Sequence, residues 1–336
     1  MTRSLAAHVV AAAAIGLAAA PAGAAAQTRI HDIQGAAHLS PLAGERVVDV
    51  PGVVTAVAAN RFFLQDPQPD DDPATSEALV VFTGSAPSVT VGDAVTVSGT
   101  VAEFRPGGTG GTTNLTTTEI TSPTVVVAGG GNALPAATLV GPGGRVPPAA
   151  VIEDDANGSV ETSGTFDAAS DGIDFWESME AMRVQIDDPQ VVGPTNAFGE
   201  TPVVPAGSGP RTNRGGIIVT PRDFNPERVV VDDALARVPA ANVGDSYAGA
   251  VTGVLDYAFG LFDLLPSTSP QLHWWPPQAA SPAAEERSRC SWWPSSSCIP
   301  ARRPARSTPG DCASKGMTWS FSLARWLSKT VWSAIA

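Results

Sequence analysis

The run Arg61 to Phe104, RFFLQDPQPDDDPATSEALVVFTGSAPSVTVGDAVTVSGTVAEF, decides how this chain folds. Three stretches rich in β-branched and aromatic residues, RFFLQ, ALVVF and AVTVSGTVAEF, favour extended backbone. An acidic loop carrying three prolines separates the first two. A turn ending in Gly92-Asp93 separates the second and third. The pattern predicts a β-meander.

Working outward, Val47–Val57 supplies a strand before this run and Leu115–Val127 one after it. Five short strands with glycine at the bends predict a small closed barrel of the oligonucleotide/oligosaccharide-binding (OB) type. Val48, Val50, Val53 and Val57 alternate imperfectly around Pro51-Gly52, which predicts a bulge in the first strand. In RFFLQ the period of two puts Phe62 and Leu64 on one face and Phe63 and Gln65 on the other. A barrel-face Phe62 or Phe63, with Arg61 and Arg105 near it, is a candidate surface for stacking single-stranded or duplex DNA or RNA. Core packing is the competing fate for at least two of Phe62, Phe63, Phe82 and Phe104. Arg183, Arg211 and Arg214 are further cations to test.

The acidic loop gathers Asp66, Asp70, Asp71, Asp72 and Glu77 within twelve residues. Oxygen ligands at this density suit Ca2+, although EF-hand spacing is absent and Pro67, Pro69 and Pro73 stiffen the loop. A solvated hairpin loop is the other reading. His31 and His38 with Asp32 lack the partners for a tetrahedral zinc set.

Charge is distributed unevenly. The net −13 argues against a generic basic nucleic-acid surface. Residues 27–271 carry 11 Arg, no Lys and 30 acids, a net −19, whereas residues 272–336 are net +5 and hold all three Cys and seven of the eight Trp. Met1–Ala26, with Arg3, an apolar Ala-rich run and Ala24-Ala25-Ala26, reads as a secretory signal peptide, which predicts export and no stable membrane insertion after cleavage. Between Gln27 and Gln271 there is no Cys, so stability must come from the core or from bound ions.

After the meander, FRPGGTGGTTNLTTT lacks the Lys-Ser/Thr and helix of a phosphate loop and reads as a flexible connection. A Gly/Pro/Ala-rich linker follows. From Val151 the chain is structured again, with helical turns over Phe175–Met182 and strands at Arg183–Ile186 and Gly215–Thr220. Val243-Gly244-Asp245 leading to Thr252-Gly253-Val254 echoes Val91-Gly92-Asp93 leading to Ser98-Gly99-Thr100-Val101, which predicts a second, related unit. The divisions are therefore a signal peptide (1–26), a first OB-like unit (27–127), a linker (128–150), a second OB-like unit (151–270) and a tail (271–336). Many carboxylates of the second unit flank Pro, Gly or Asn and read as turn residues rather than a glycosidase pair.

IHDIQG (30–35), GVVTAV (52–57), FFLQDP (62–67), DDDPATSEALVVFT (70–83), VGDAVTVSGTVAEF (91–104), FWESMEAMRVQIDDPQVVG (175–193), GGIIVTPRDFNPER (215–228) and VTGVLDYAFGLFDLLP (251–266) together resemble the N-terminal region of large secreted bacterial nucleases. In that family an OB-fold-like region precedes a catalytic domain of the endonuclease/exonuclease/phosphatase superfamily. The resemblance covers roughly residues 30 to 270. It implies an exported, non-catalytic region that binds or positions nucleic acid and is inactive alone. The metal-dependent phosphodiesterase chemistry, with Mg2+ or Mn2+, belongs to the later domain. This chain itself then requires no cofactor, and the alternative function is an extracellular structural or protein-docking module.

No T-x-N-V-E-N-like strand of the catalytic domain follows. LHWWPPQAASPAAEERSRCSWWPSSSCIP, from Leu272 on, is Trp-, Arg-, Ser-, Pro- and Cys-rich, as a GC-rich gene read out of frame would be. A frameshift near codons 270 to 273 is the expectation, against a genuine tail whose Thr318–Ala336 has amphipathic helical character. Cys290, Cys298 and Cys312 fit no standard zinc spacing.

Overall fold

The structure, a computed structural model, describes residues 27–107, 111 and 113–275. The expected signal peptide and the tail from residue 276 lie outside the described residues. The described residues are almost all β, with 36% of them in strands and 4% in helices, arranged as two sheets.

The first sheet is a closed five-stranded barrel. Strands β1 (Arg46–Val57), β2 (Arg61–Gln65), β3 (Ala78–Phe82), β4 (Ala94–Phe104) and β5 (Thr117–Gly129) pair in the order β1-β2-β3-β5-β4 and close through β1 and β4. All neighbours are antiparallel except β3 and β5, which run parallel. The first strand bends as predicted, at two register shifts flanking Pro51-Gly52: Val47/Val50 and Val54/Ala56. At Gly52 the strands come so close that a Cβ would lie 2.6 Å from Leu64 Cγ, so only glycine fits. Helix α1 (Ile30–Gln34) buries Ile30 and Ile33 in one apolar cluster with Val50, Val54, Phe62, Leu64 and Val97.

The second sheet has nine strands: β6 (Thr138–Val140), β7 (Arg183–Asp187), β8 (Gln190–Val191), β9 (Thr201–Val204), β10 (Val229–Val231), β11 (Ser246–Ala248), β12 (Ala250–Ala258), β13 (Leu261–Pro266) and β14 (Gln271–His273). Their order is β14-β11-β8-β9-β10-β13-β12-β7-β6. Part of this pairing repeats the first sheet. In the barrel the two ends of β1 pair with β4 and β2; here β7 pairs with β12, and β8, just beyond it in sequence, pairs with β9. β10 and β13 run parallel, as β3 and β5 do, and β12 and β13 form a hairpin, as β4 and β5 do. Between β7 and β8, Asp188 adopts φ 45° and Pro189 has no N–H, so the ladder is interrupted there.

The Gly-Asp turns match bond for bond. Asp93 Oδ2 accepts the Thr90 N–H and Asp245 Oδ2 that of Asn242, each at 2.8 Å. Gly92 and Gly244 have φ of 89° and 95°, which favours glycine at both turns. Their N–H groups donate to the carbonyls of Val54 and Val191, both at 2.9 Å.

Four expectations change. The 128–150 linker is not free chain, because β5 reaches Gly129 and β6 pairs in parallel with β7. Gly215–Thr220 is no strand: hydrogen bonds between Thr212 and Gly216 and between Thr220 and Asp223 fold it into local turns around Gly215 at φ 89°. The helix over Phe175–Met182 is earlier and shorter, α2 at Gly172–Glu177. Finally, β14 carries ordered structure past residue 270, to His273.

The two units are not independent beads. Phe62, Leu64, Leu79 and Val81 point into the barrel, while Phe63, Ala78 and Val80, on the outer face of the same strands, join the second unit's core with Trp176, Leu255 and Tyr257. Hence β2 is buried on both faces.

Candidate functional site

The outer face of β2 and β3, where a stacking surface was expected, is the seam between the units. Phe62 and Phe63 are both 0% exposed. Phe62 fills the barrel, and Phe63 is covered by the second unit while Arg61 lies 5.4 Å over its ring. Neither offers a face to a base. The period of two in RFFLQ was correct; what the sequence does not show is that a second unit covers the outer face.

Arg61 and Arg105 are also engaged across the seam. Arg61 forms an ion pair with Asp256 on β12, Nη2 to Oδ2 at 2.5 Å. Arg105 pairs with Glu161 and donates to the Asn114 carbonyl. Burial pushes the Asp256 carboxyl up and Arg61 pulls it back. Neighbouring Asp263 is driven well above the carboxylate range, by burial first and then by Asp256, Asp232 and Glu200. Of the other arginines, Arg183 donates its backbone N–H to Gln65 Oε1 at 2.9 Å and its guanidinium to the Pro135 carbonyl.

Uncharged bonds complete the seam. Tyr257 Oη accepts the Leu115 N–H at 3.0 Å, and Ser76 Oγ donates to the Glu180 carbonyl at 2.6 Å. Glu180 Oε1 accepts the Thr118 N–H at 2.8 Å. Burial raises Glu180 strongly, with Glu177 and Glu103 adding to the shift.

His38, weighed in the sequence only as a metal ligand with His31 and Asp32, is a buried cation of the seam. Its Nε2 lies 2.7 Å from Asp174 Oδ1 and its Nδ1 3.7 Å from Glu177 Oε2, both on α2. Burial alone would lower its pKa, but the hydrogen bond to Asp174 and the attraction of Asp174 and Glu177 prevail and raise it to about 10. The ring also packs edge-on against Phe166. No sign of this pairing was legible in the sequence, because Asp174 lies 136 residues from His38.

In the acidic loop most carboxylates serve the loop's own backbone. Asp66 pairs with Arg29 and accepts the Gln68 N–H; Asp70 accepts from Asp72 N–H, and Asp72 from Ala74 N–H. Asp71 is exposed. The five candidates do not converge: Asp70 and Glu77 come together with His31, their ligand atoms within 4.8 Å, and Asp66, Asp71 and Asp72 stay out. Burial raises Glu77, which lies 3.4 Å from His31.

A separate cleft of about 490 Å³ opens on the second sheet, lined by Arg211, Asn213, Ser246, His273, Trp274 and Trp275 among others. Trp275 is held by its N–H to Asp245 Oδ1 at 2.8 Å and packs over Gly244.

Residues 139–274 match a family described as Domain of unknown function (DUF8508). The match begins inside β6 and ends just past β14, so it coincides with the second unit and includes the edge strand beyond residue 270. No curated protein and no solved structure matches the chain. Among the described residues no helix is long and apolar enough to cross a membrane.

Proposed function

We propose that this chain is the non-catalytic positioning region of an exported nuclease, and that it works as a rigid two-unit scaffold rather than as a grip on nucleic acid. Both units are of OB type on this reading, the second being a barrel whose first strand is broken at Asp188-Pro189 and extended at its edges by β6, β11 and β14. The shared turns and pairings support it. The ordered run of nuclease-like motifs supports the parentage.

One observation carries the choice of scaffold over grip. Phe62, Phe63, Arg61 and Arg105, the side chains nominated for stacking and phosphate contact, are all engaged in the core or the seam. A strand-binding surface needs exposed aromatic faces and locally positive potential, and residues 27–271 are net −19. A module that holds another domain needs a stiff body instead.

A second reading rests on the cleft, where Arg211 and Trp274 with Trp275 combine a cation with exposed aromatic rings. Fluorescence anisotropy with labelled single-stranded DNA, from about 50 to 200 mM salt, separates the two. The scaffold reading expects no saturable signal at any salt. Saturable, salt-sensitive binding that is lost in Trp274→Ala/Trp275→Ala would replace it with the cleft reading. A phosphodiesterase assay in Mg2+ should show no turnover.

A further inference from the structure

Among the described residues two groups of side chains have ligand atoms close enough to hold a metal ion. One is the His31, Asp70 and Glu77 group of the acidic loop. The other, in the second unit, is Glu153, Asp171 and Asp174, whose ligand oxygens lie within 4.8 Å of one another. The backbone sets this second group. Gly172 and Ile173 donate their N–H groups to the carbonyls of Val151 and Ile152, at 3.0 and 3.1 Å, which brings the segment carrying Glu153 against the start of α2.

Asp171 distinguishes this group from an ordinary acidic cluster. It is 2% exposed, and its Oδ1 is buried without a hydrogen-bond partner. An unpaired, buried carboxylate oxygen is a costly feature. Beyond burial, the largest influences on Asp171 all come from carboxylates: Glu153, Asp154, Asp174 and Asp167. Asp174 is neutralised on its far side by His38, whose Nε2 lies 2.7 Å away, and its Oδ2 accepts the Asp167 N–H at 2.6 Å. Glu153 Oε1 accepts the N–H groups of Asp155 and Ala156. Glu153 and Asp174 are thus held in place, and Asp171 stands beside them with one buried oxygen unpaired.

We propose that Glu153, Asp171 and Asp174 bind a hard divalent cation, Ca2+. An all-oxygen donor set from a loop and a helix start excludes a preference for thiophilic or imidazole-seeking metals. Ligand oxygens within 4.8 Å of one another fit Ca2+, which takes six to eight oxygens in flexible geometry at about 2.4 Å, better than Mg2+, which demands a near-ideal octahedron at about 2.1 Å and keeps its waters. The ion supplies the positive charge that Asp171 lacks and ties the 151–154 segment to α2, the helix that His38 fastens to the first unit. This site stands whether or not the chain binds nucleic acid.

The test is calorimetric titration of the EDTA-treated full chain with CaCl2, paired with thermal unfolding. The expected result is one Ca2+ per chain and a Tm raised by about 5–10 °C at roughly 100 times Kd. Mg2+ should bind more weakly. Asp171→Asn should weaken Ca2+ binding at least about ten-fold, while its metal-free Tm stays at or above that of the parent, because a crowded buried charge is gone. Glu77→Gln, in the other group, should keep the Ca2+ response. The proposal is overturned if the parent chain takes up no Ca2+, if Mg2+ binds more tightly, if Asp171→Asn retains the parent affinity, or if Glu77→Gln loses it. Should Asp171→Asn fail to fold, Glu153→Gln decides by the same titration: unchanged affinity overturns the site, and weakened affinity supports it.

Discussion

Arg61 on β2 and Asp256 on β12, 195 residues apart in sequence, close an ion pair at 2.5 Å across the seam between the two units. Asp256 is buried and Arg61 is about a quarter exposed, so the two truncations are unequal. Arg61→Ala leaves a buried carboxylate beside Asp263 and should cost about 3 kcal/mol. Replacing both residues, Arg61→Met with Asp256→Leu, should cost less than Arg61→Ala alone, because no charge is then stranded. Chemical denaturation of the three proteins gives the comparison.

The strand glycines Gly99 and Gly253 should behave alike. A Cβ at Gly99 would lie 2.7 Å from the Thr121 carbonyl oxygen, and one at Gly253 would lie 2.8 Å from Pro266 Cα with the Leu265 carbonyl closer still. Both positions press against backbone that cannot rotate away. Gly99→Ala and Gly253→Ala should each lower stability by about 1–3 kcal/mol, read from the denaturation midpoint. By contrast Gly249, with φ 73° and open space around a Cβ, should cost only its backbone strain, about 1 kcal/mol.

His38 makes stability depend on pH. Its folded pKa of about 10 lies above the ordinary 6.5, so its contribution is fully present below pH 6.5 and is lost as pH rises through about 10. Glu177 and Glu180, raised chiefly by burial, act in the same direction, since each favours the folded state while protonated. Tm should therefore fall between pH 6.5 and 10. His38→Gln should be less stable at pH 6 and should flatten that decline, measured as Tm against pH.

Phenylalanines distinguish seam from surface. Phe63 is 0% exposed and Phe82, at the end of β3, is 36% exposed. Phe63→Ala should cost about 3–5 kcal/mol and Phe82→Ala less than about 1 kcal/mol. If both had faced solvent as a stacking surface, the two costs would be similar and small.

Local features were legible in the sequence because they depend on short-range chemistry. The strands of the barrel, the bulged first strand, the Gly-Asp turns and the echo of Gly99 in Gly253 all follow from residue type and spacing. Features created by long-range contact were not. Nothing in RFFLQ reveals that Phe63 joins the core of the second unit, or that Arg61 meets Asp256. The acidic loop illustrates the same limit: its carboxylates were visible, but their use as caps for Gln68, Asp72 and Ala74 depends on how the loop turns. Gly215–Thr220 misled because β-branched Ile217, Ile218 and Val219 favour a strand while Gly215 and the Thr212 and Thr220 bonds impose turns.

The central claim is that the two units form one stiff body. Differential scanning calorimetry of the purified chain tests it most directly. One transition is predicted, with calorimetric and van't Hoff enthalpies equal, and Arg61→Ala should move that single transition as a whole. Two separate transitions in the parent chain, with only one of them shifted by Arg61→Ala, would contradict it.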